Sequence, residues 1–403
     1  MPVTRRLAQP EFIALIAMLF STIALSIDAM LPALTQMGQD LSPENPERAT
    51  LVVGIFVMGM GIGTFFAGPL SDAYGRKPVI LVGFAIYTLG ALWAGSASDL
   101  DGVLMGRFLQ GLAIAGPRVA CVALVRDLYQ GEKMASIMSF AMTVFALVPA
   151  LAPSLGQVIL LGFGWRAIFF AFAIFALLAS LWVGLRQPET HLPEARNKLS
   201  VAAVGRAVKE CFGNRVFFYS VATQVAVYSA LFSLVSTVQP VYAQTFDKAE
   251  SFPLFFAASA LISMPASVIN AKLVMRFGMR VMIKSALFGI VITSSLGLIA
   301  WLSGVMNVWV FFAWATCIFV SVGFVFGNLN ALAMEPLGHI AGSAASISGA
   351  VGAVCAALLA IPISLSFDGT PLSLLIGVLI FETTALLLML RLGPRVQPVE
   401  LTV

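Results

Sequence analysis

Twelve apolar stretches, each long enough to cross a lipid bilayer as a helix, follow one another almost without interruption along the 403-residue chain. About 20 apolar residues are needed to cross ~30 Å of hydrocarbon, and a helix satisfies its own backbone hydrogen bonds there. The chain is only 10% charged, whereas a soluble domain is about 25% charged, so a soluble fold is excluded. The sequence therefore predicts an all-α, multi-pass protein whose main solvent is membrane lipid. The expected spans are residues 12–34, 50–70, 78–98, 103–124, 135–161, 165–185, 216–243, 252–275, 281–303, 308–334, 342–366 and 371–391.

One long polar break divides the spans into six and six. It predicts an N-terminal half at 1–185, a linker at 186–215 and a C-terminal half at 216–403. Eighteen of the 23 Lys and Arg residues fall on the side of the termini and the linker, and three fall on the other side. The positive-inside rule therefore places both termini and the linker in the cytoplasm.

The two halves also share an internal repeat. A shift of 203 residues aligns Tyr74-Gly75-Arg76-Lys77 with Phe277-Gly278-Met279-Arg280. Parallel duplicates of this kind are typical of transporters whose site lies between the two repeats.

The sequence lacks the residues that several other functions would require. The four cysteines form no C-x-x-C pair and have no histidine neighbour, which argues against disulfides and a metal site. There is no G-x-x-x-x-G-K-[ST] loop for ATP, and the basic residues form no stripe for nucleic acid. His191 and His339 both fall in cytoplasmic segments, which leaves no nucleophile and base within the spans. We therefore expect neither an enzyme nor a cofactor.

The break after the second span reads G-x-L-x-D-x-x-G-R-K from Gly68 to Lys77. This motif resembles the loop between the second and third helices of the major facilitator superfamily, and the resemblance extends over all twelve spans. It implies two six-helix halves around a central cavity. Gly75 permits the tight reversal of the chain. Asp72 and Arg76 are expected to bond helix ends of the opposite half, so that Gly68, Asp72, Gly75 and Arg76 form a cytoplasmic latch. Met275 replaces Asp72 in the second copy, so only the first copy should form the full latch.

Other motifs resemble narrower groups. Arg107-Phe108-Leu109-Gln110-Gly111 resembles the buried-arginine motif of drug/proton antiporters. Pro149, Pro153 and Gly156 fit the antiporter motif of that branch, with Ala152 and Gln157 where glycines are usual; two prolines also fit a simple kink. Three segments, residues 26–34, 125–128 and 330–336, resemble the bicyclomycin and chloramphenicol resistance family.

This resemblance implies proton-coupled efflux, by antiport, of small toxic or drug-like compounds across the bacterial inner membrane. Transport would proceed by alternating access in a single chain, with protons and the drug-like substrate as its small partners. The alternative is a proton-coupled carrier of a specific nutrient or metabolite with the same fold.

Charges inside spans are costly and mark functional candidates. Asp28 lies six residues before the outer end of the first span, and Arg107 lies four residues into the fourth from the same side, so their depths match. Asp28 could bind and release a proton as the cavity alternates, or it could be a hydrogen-bonded carboxylate that fixes the following bend. Arg107 stays charged, and it either tunes Asp28 or bonds backbone carbonyls of a kinked neighbour.

Other polar residues inside spans are candidates for the substrate cavity. Arg118 follows Arg107 by 11 residues, about 16 Å along the same helix face. It could attract an anionic or strongly dipolar substrate, or extend to the lipid headgroups. Gln224, Tyr228 and Asn328 offer neutral donors and acceptors, although such residues also join membrane helices. Glu382 is either a second titrating group or, as we expect, a protonated acid bonded to a neighbouring helix.

Overall fold

The computed structural model describes residues 7–196 and 201–393. Four basic residues used in the orientation count, Arg5, Arg6, Lys198 and Arg395, lie outside the described residues. The α-helices are α1 Gln9–Asp28, α2 Leu34–Leu41, α3 Leu51–Tyr74, α4 Arg76–Ser96, α5 Leu100–Leu128, α6 Gly131–Phe163, α7 Arg166–Arg186, α8 Val201–Gly213, α9 Arg215–Pro240, α10 Phe252–Phe277, α11 Met279–Leu302, α12 Val308–Met334, α13 Ala341–Leu365 and α14 Leu372–Arg391.

Twelve crossings are present in the described part of the chain. Eleven stretches of helix there are long and apolar enough to span a membrane. One of them, Val308–Leu365, has 58 residues and contains both α12 and α13. A 3₁₀ segment, Glu335–Ile340, separates these two helices, because Leu337 leaves the helical region at φ −120° and ψ 32°. The predicted twelve-helix fold is therefore confirmed.

The first span differs from its prediction. Helix α1 ends at Asp28, a 3₁₀ turn follows at Leu31–Ala33, and α2 continues the crossing to Leu41. Pro32 lacks a backbone N–H and so cannot continue the helical ladder, which explains the break. The crossing thus contains an interruption directly after the buried acid.

The linker contains a helix that the sequence analysis did not predict. In α8, Ala207, Val208 and Cys211 form a short apolar stripe that packs against Phe217 and Leu337 of the second six-helix half. Burial, with a smaller contribution from Glu210, raises the pKa of the Cys211 thiol. This cysteine is therefore a packing residue of the linker.

Helices α1–α7 form the first half and α9–α14 the second. Within the first half, α3 and α5 meet backbone to backbone. A Cβ on Gly111 would lie 2.0 Å from the carbonyl oxygen of Phe56, and one on Gly59 would lie 2.4 Å from that of Phe108. Small residues allow this close approach of membrane helices. The opposite side of α3 contacts α13 of the second half, where a Cβ on Gly61 would lie 2.7 Å from Cγ2 of Val354.

The two ends of the bundle differ. We call the end that carries α8 and the Gly75 turn the linker face, and the opposite end the distal face. At the distal face, Thr35 Oγ1 donates a hydrogen bond of 2.9 Å to Gln239 Oε1 and joins the two halves. At the linker face, a cavity of about 860 Å³ separates α3 and α5 from α8 and α13. The structure is therefore open towards the linker face.

Candidate functional site

Arg107 is completely buried and joins three helices. Its Nε donates to the carbonyl oxygen of Val52 at 3.2 Å, and Nη2 donates to that of Ser26 at 3.0 Å. Nη1 donates to Gln110 Oε1 at 3.2 Å, and the guanidinium lies 4.2 Å above the Phe56 ring. Ser26 belongs to the last turn of α1, where carbonyls lack a full set of helical partners. Arg107 thus bonds the carbonyl of an interrupted neighbouring helix, one of its two predicted roles.

Asp28 is the last residue of α1 and is only 7% exposed. Among the described residues, its carboxylate makes neither a hydrogen bond nor an ion pair within 4.0 Å. The alternative of a hydrogen-bonded carboxylate that fixes the bend therefore finds no support. Arg107 bonds the Ser26 carbonyl two residues earlier and makes no ion pair with Asp28.

The candidate antiporter motif packs directly on this break. A Cβ on Gly156 of α6 would lie 1.9 Å from the carbonyl oxygen of Ala29, the residue after Asp28. Pro149 and Pro153 lie inside α6 without ending it. The glycine of the motif is therefore required for contact between α6 and the interrupted end of α1.

Arg118 lines the cavity, together with Phe65, Val119 and Val122. It interacts electrostatically with Tyr228 across the boundary between the halves. Its side chain therefore borders the cavity between the halves. Arg118 makes no hydrogen bond or ion pair with any other described residue.

Gln224 and Tyr228 lie together on α9, and both approach Gly352 of α13 at about the same distance, 3.5 Å from a Cβ placed there. Ser348 Oγ donates to Gln224 Oε1 at 2.8 Å. The Tyr228 ring stacks on Phe326 with 5.3 Å between ring centroids. Neither Gln224 nor Tyr228 is among the residues that line the cavity, but Tyr228 lies close to Arg118, which does.

Asn328 lies elsewhere. Its Nδ2 donates to Asn270 Oδ1 and to the carbonyl oxygen of Phe324, each at 2.8 Å, and the side chain is only 5% exposed. It is not among the residues that line the cavity. Asn328 therefore joins α12 to α10, the packing role that the sequence left open.

The loop motif forms a bonded cluster at the linker face. Arg76 Nη1 donates to Asp72 Oδ1 at 2.6 Å, and Nε donates to Asp127 Oδ2 at 3.0 Å. The Glu189 carboxylate accepts the backbone N–H groups of Arg76 and Lys77, each at 3.1 Å. The expected bonds from Asp72 and Arg76 to the opposite half are absent from the described residues, because the linker face is open and Asp127 of the first half takes their place.

Two glycines of the loop motif have different surroundings. Gly75 has φ +102°, and a Cβ there would meet Glu189 Oε2 at 2.5 Å. Gly68 faces α13 of the second half, with Ser346 Oγ 3.7 Å from a Cβ position. One glycine therefore sets the turn, and the other lies at the boundary between the halves.

Comparison with known proteins identifies the family. Residues 13–360 match the model of the Major Facilitator Superfamily. The chain belongs to the major facilitator superfamily. It is similar to the bicyclomycin resistance protein homolog of Haemophilus influenzae, with 31% identity over 343 residues that cover 83% of this chain and 85% of that protein. It is also similar to the multidrug resistance protein MdtL of Salmonella heidelberg, with 28% identity over 376 residues and 91% of each chain. These matches confirm the family resemblance that the motifs indicated.

A solved D-xylose-proton symporter has the same fold. Its TM-score is 0.74 at 15% identity, over 96% of this chain and 98% of that chain. This likeness agrees with the major facilitator fold that the family match shows.

Glu382 does not make the hydrogen bond that was predicted for it. It is fully buried in α14, but neither carboxylate oxygen has a hydrogen-bond partner among the described residues. The expected bond to a neighbouring helix is wrong, because the flanking positions on its helix face, Val378 and Ala385, are buried apolar contacts.

Sequence reasoning missed two residues that lie beside the charged groups. Glu189 was counted only as part of a polar linker, although it caps the first backbone N–H groups of α4. Tyr87, whose hydroxyl hydrogen-bonds to Ser26 Oγ, was assigned no role beside the Arg107 site. A helix that begins directly after a glycine turn without its own capping side chain was the available signal for Glu189.

Proposed function

We propose that this chain exports small drug-like compounds across the bacterial inner membrane in exchange for protons. The main observation behind this proposal is Asp28, a buried acid at the interruption of the first crossing that has no hydrogen-bond or ion-pair partner among the described residues. An uncompensated carboxylate at this depth is costly, so its charge requires a proton or a new partner whenever water is excluded. The names of the relatives, which refer to bicyclomycin and multidrug resistance, favour drug-like substrates.

Asp28 would take up its proton when the distal face is open and release it through the linker-face cavity. Arg107 would hold the end of α1 at a fixed position through the Ser26 carbonyl. Because Gly156 allows α6 to touch Ala29, a movement of α6 would be transmitted to the residue next to Asp28. The antiporter motif would in this way link proton binding to the motion of the halves.

The proposed orientation places the linker face in the cytoplasm, as the excess of Lys and Arg there favours. Both termini are then cytoplasmic, and the domains are 1–185, 186–215 and 216–403. The cavity would take its substrate from the cytoplasm. We further propose that one chain is the transport unit and that the Gly68, Asp72, Gly75 and Arg76 latch contacts the second half when the linker face closes.

The direction of transport tests this function. The purified protein is placed in proteoliposomes with an imposed pH gradient, and uptake of chloramphenicol is measured with the lumen acidic. An antiporter accumulates the compound in the acidic lumen as protons leave, and reversing the gradient abolishes accumulation. Accumulation only when protons enter the lumen together with a nutrient such as a sugar or amino acid would instead support the carrier alternative and refute export.

A further inference from the structure

We infer that the inner end of the cavity binds an anionic group. Arg118, which lines the cavity, would receive the carboxylate, sulfonate or phosphate of an organic substrate with an apolar body, and Tyr228 and Gln224 beside it would add donors. This inference rests on the proposed transport function and names the substrate class of its cavity.

The first support is the unpartnered guanidinium. An arginine has five N–H donors and no acceptor, and it stays charged in a protein. Arg107, 11 residues earlier on the same helix, is covered by three oxygen acceptors and an aromatic ring. Arg118 has no hydrogen-bond acceptor or ion-pair partner among the described residues and lines the cavity. The acceptors for its donors must therefore come from the contents of the cavity.

The second support is that the polar atoms beside Arg118 are donors. Gln224 Oε1 accepts from Ser348 Oγ, and the Gln224 amide nitrogen donates to the Tyr228 hydroxyl, which leaves one of its two N–H donors for a ligand. The Tyr228 hydroxyl lies beside both Gln224 and Arg118 and can donate its own proton to a bound anion. A carboxylate has two oxygens and about four lone-pair sites, which suits donors converging from both halves of the protein.

The third support is the charge of the cavity wall. Of its ionic lining residues, Asp72 is paired with Arg76, and His339 contacts Glu210 of the linker helix. Arg118 and Arg126 line the same cavity without an ion-pair partner among the described residues. Concave walls of low dielectric concentrate the field of such charges and attract ligands of opposite sign.

The apolar part of the substrate has its own surface. Phe65, Val119 and Val122 line the same cavity as Arg118. Flat aromatic bodies fit such walls. An aromatic carboxylate is therefore the simplest probe of the site.

The test uses two ligands that differ only in charge. The full-length protein in phosphatidylcholine nanodiscs is titrated with coumarin-3-carboxylate and with coumarin-3-carboxamide, and binding is followed by fluorescence. We expect the carboxylate to bind about 10-fold more tightly, the size of a hydrogen-bonded charge interaction. In Arg118→Gln the ratio should fall to about 1, with the affinity for the carboxamide unchanged.

Two further variants make the result specific. Arg118→Lys keeps the positive charge but loses the planar guanidinium with its paired N–H donors. The preference for the carboxylate over the carboxamide should therefore fall only in part. Arg126→Gln removes the other unpaired arginine, which is exposed nearer the mouth, and should lower the ratio by no more than about 3-fold in a salt-dependent way. Should Arg118→Gln fail to fold, the wild-type ratio and Arg118→Lys still decide the question.

Three results would overturn the inference. They are equal affinities for the two ligands in the wild type, a ratio that persists in Arg118→Gln, and no binding of either ligand at millimolar concentration. Loss of carboxylate binding in phosphatidylglycerol nanodiscs would assign the site to a lipid phosphate and would also overturn it.

Different results would refute the export proposal and the anion site. If the carboxylate is preferred but neither coumarin is moved by a pH gradient in proteoliposomes, the anion site stands and export falls. If both coumarins are moved equally well by the wild type and by Arg118→Gln, export stands and the anion site falls.

Discussion

The two glycine turns of the repeat have the same backbone but different bonds. Gly75 and Gly278 each connect two crossing helices, with φ +102° and ψ 162° in the first half and φ +79° and ψ 158° in the second. In the first turn, Arg76 holds Asp72 and Asp127, and Glu189 caps the following helix. In the second, Met275 and Met279 replace Asp72 and Arg76.

One bond is common to both turns. Lys77 Nζ donates to the carbonyl oxygen of Gly184 at 2.7 Å, and Arg280 Nη1 donates to that of Gly393 at 3.2 Å. Each cation thus joins the start of one helix to the chain at the end of the last helix of its half. The turn and this helix-end bond occur in both halves, whereas among the described residues the ionic cluster of Asp72, Arg76 and Asp127 belongs to the first half alone.

The largest expected effect concerns the two buried acids, one in each half. Asp28→Asn cannot exchange a proton, so pH-driven export should fall to the rate of protein-free liposomes. Glu382→Gln removes an acid with no place in the proposed cycle and should keep most of the export rate. The measurement is drug accumulation in proteoliposomes with an acidic lumen, at matched protein content.

These two variants also show which half of the protein takes part in proton exchange. Retained pH-driven export in Asp28→Asn would remove this residue from the mechanism. Loss of export in Glu382→Gln, with Asp28 intact, would show that proton exchange involves both halves.

The next effect is on the arginine of the first turn. Arg76 is 3% exposed, and Arg76→Ala would leave Asp72 and Asp127 without their cation. Because Asp72 and Asp127 are partly exposed, we expect the free energy of unfolding to fall by about 2 kcal/mol, the size of hydrogen bonds to a charged group. The matched variant Met279→Ala loses apolar contact only, at about 1 kcal/mol. Unfolding by dodecyl sulfate in mixed micelles measures both, and equal losses would show that the ionic cluster adds no stability.

A smaller difference is expected at the glycines. Gly75→Ala and Gly278→Ala both place a Cβ at positive φ, which costs about 1–2 kcal/mol. At Gly75 the new methyl group would also displace Glu189, whereas no atom lies within 4 Å of a Cβ on Gly278. The first variant should therefore be less stable than the second in the same unfolding assay. Equal stability would mean that the Glu189 cap contributes nothing.

The sequence predicted much of this fold because lipid imposes a simple pattern. Twelve apolar stretches correspond to twelve crossing helices, and the glycine turns lie where the repeat placed them. Arg107 is buried, as its position within a span indicated, and its bonds to carbonyls match one of the two roles that the sequence left open.

The remaining features depend on tertiary contacts. Nothing local showed that Glu189 would reach across 113 residues to Arg76, or that α8 would pack on the second half. Glu382 and Asn328 had similar patterns of apolar neighbours in sequence, yet one is without a partner and the other pairs with Asn270. Which neighbouring helix presents a polar atom is fixed only by the packing of the bundle.

The smallest expected effect tests the bond that both halves share. Lys77→Ala and Arg280→Ala each remove a cation that bonds a backbone carbonyl at the end of a half, an interaction of about 0.5 kcal/mol near a helix end. Since the geometry is repeated, the two losses should be equal within the error of the unfolding assay. A clearly larger loss for Lys77→Ala would extend the difference between the turns, because it would show that Lys77 also depends on the adjacent Arg76 cluster. Equal losses would mean that the ionic cluster was added to, or retained on, an otherwise symmetric pair of helix connections.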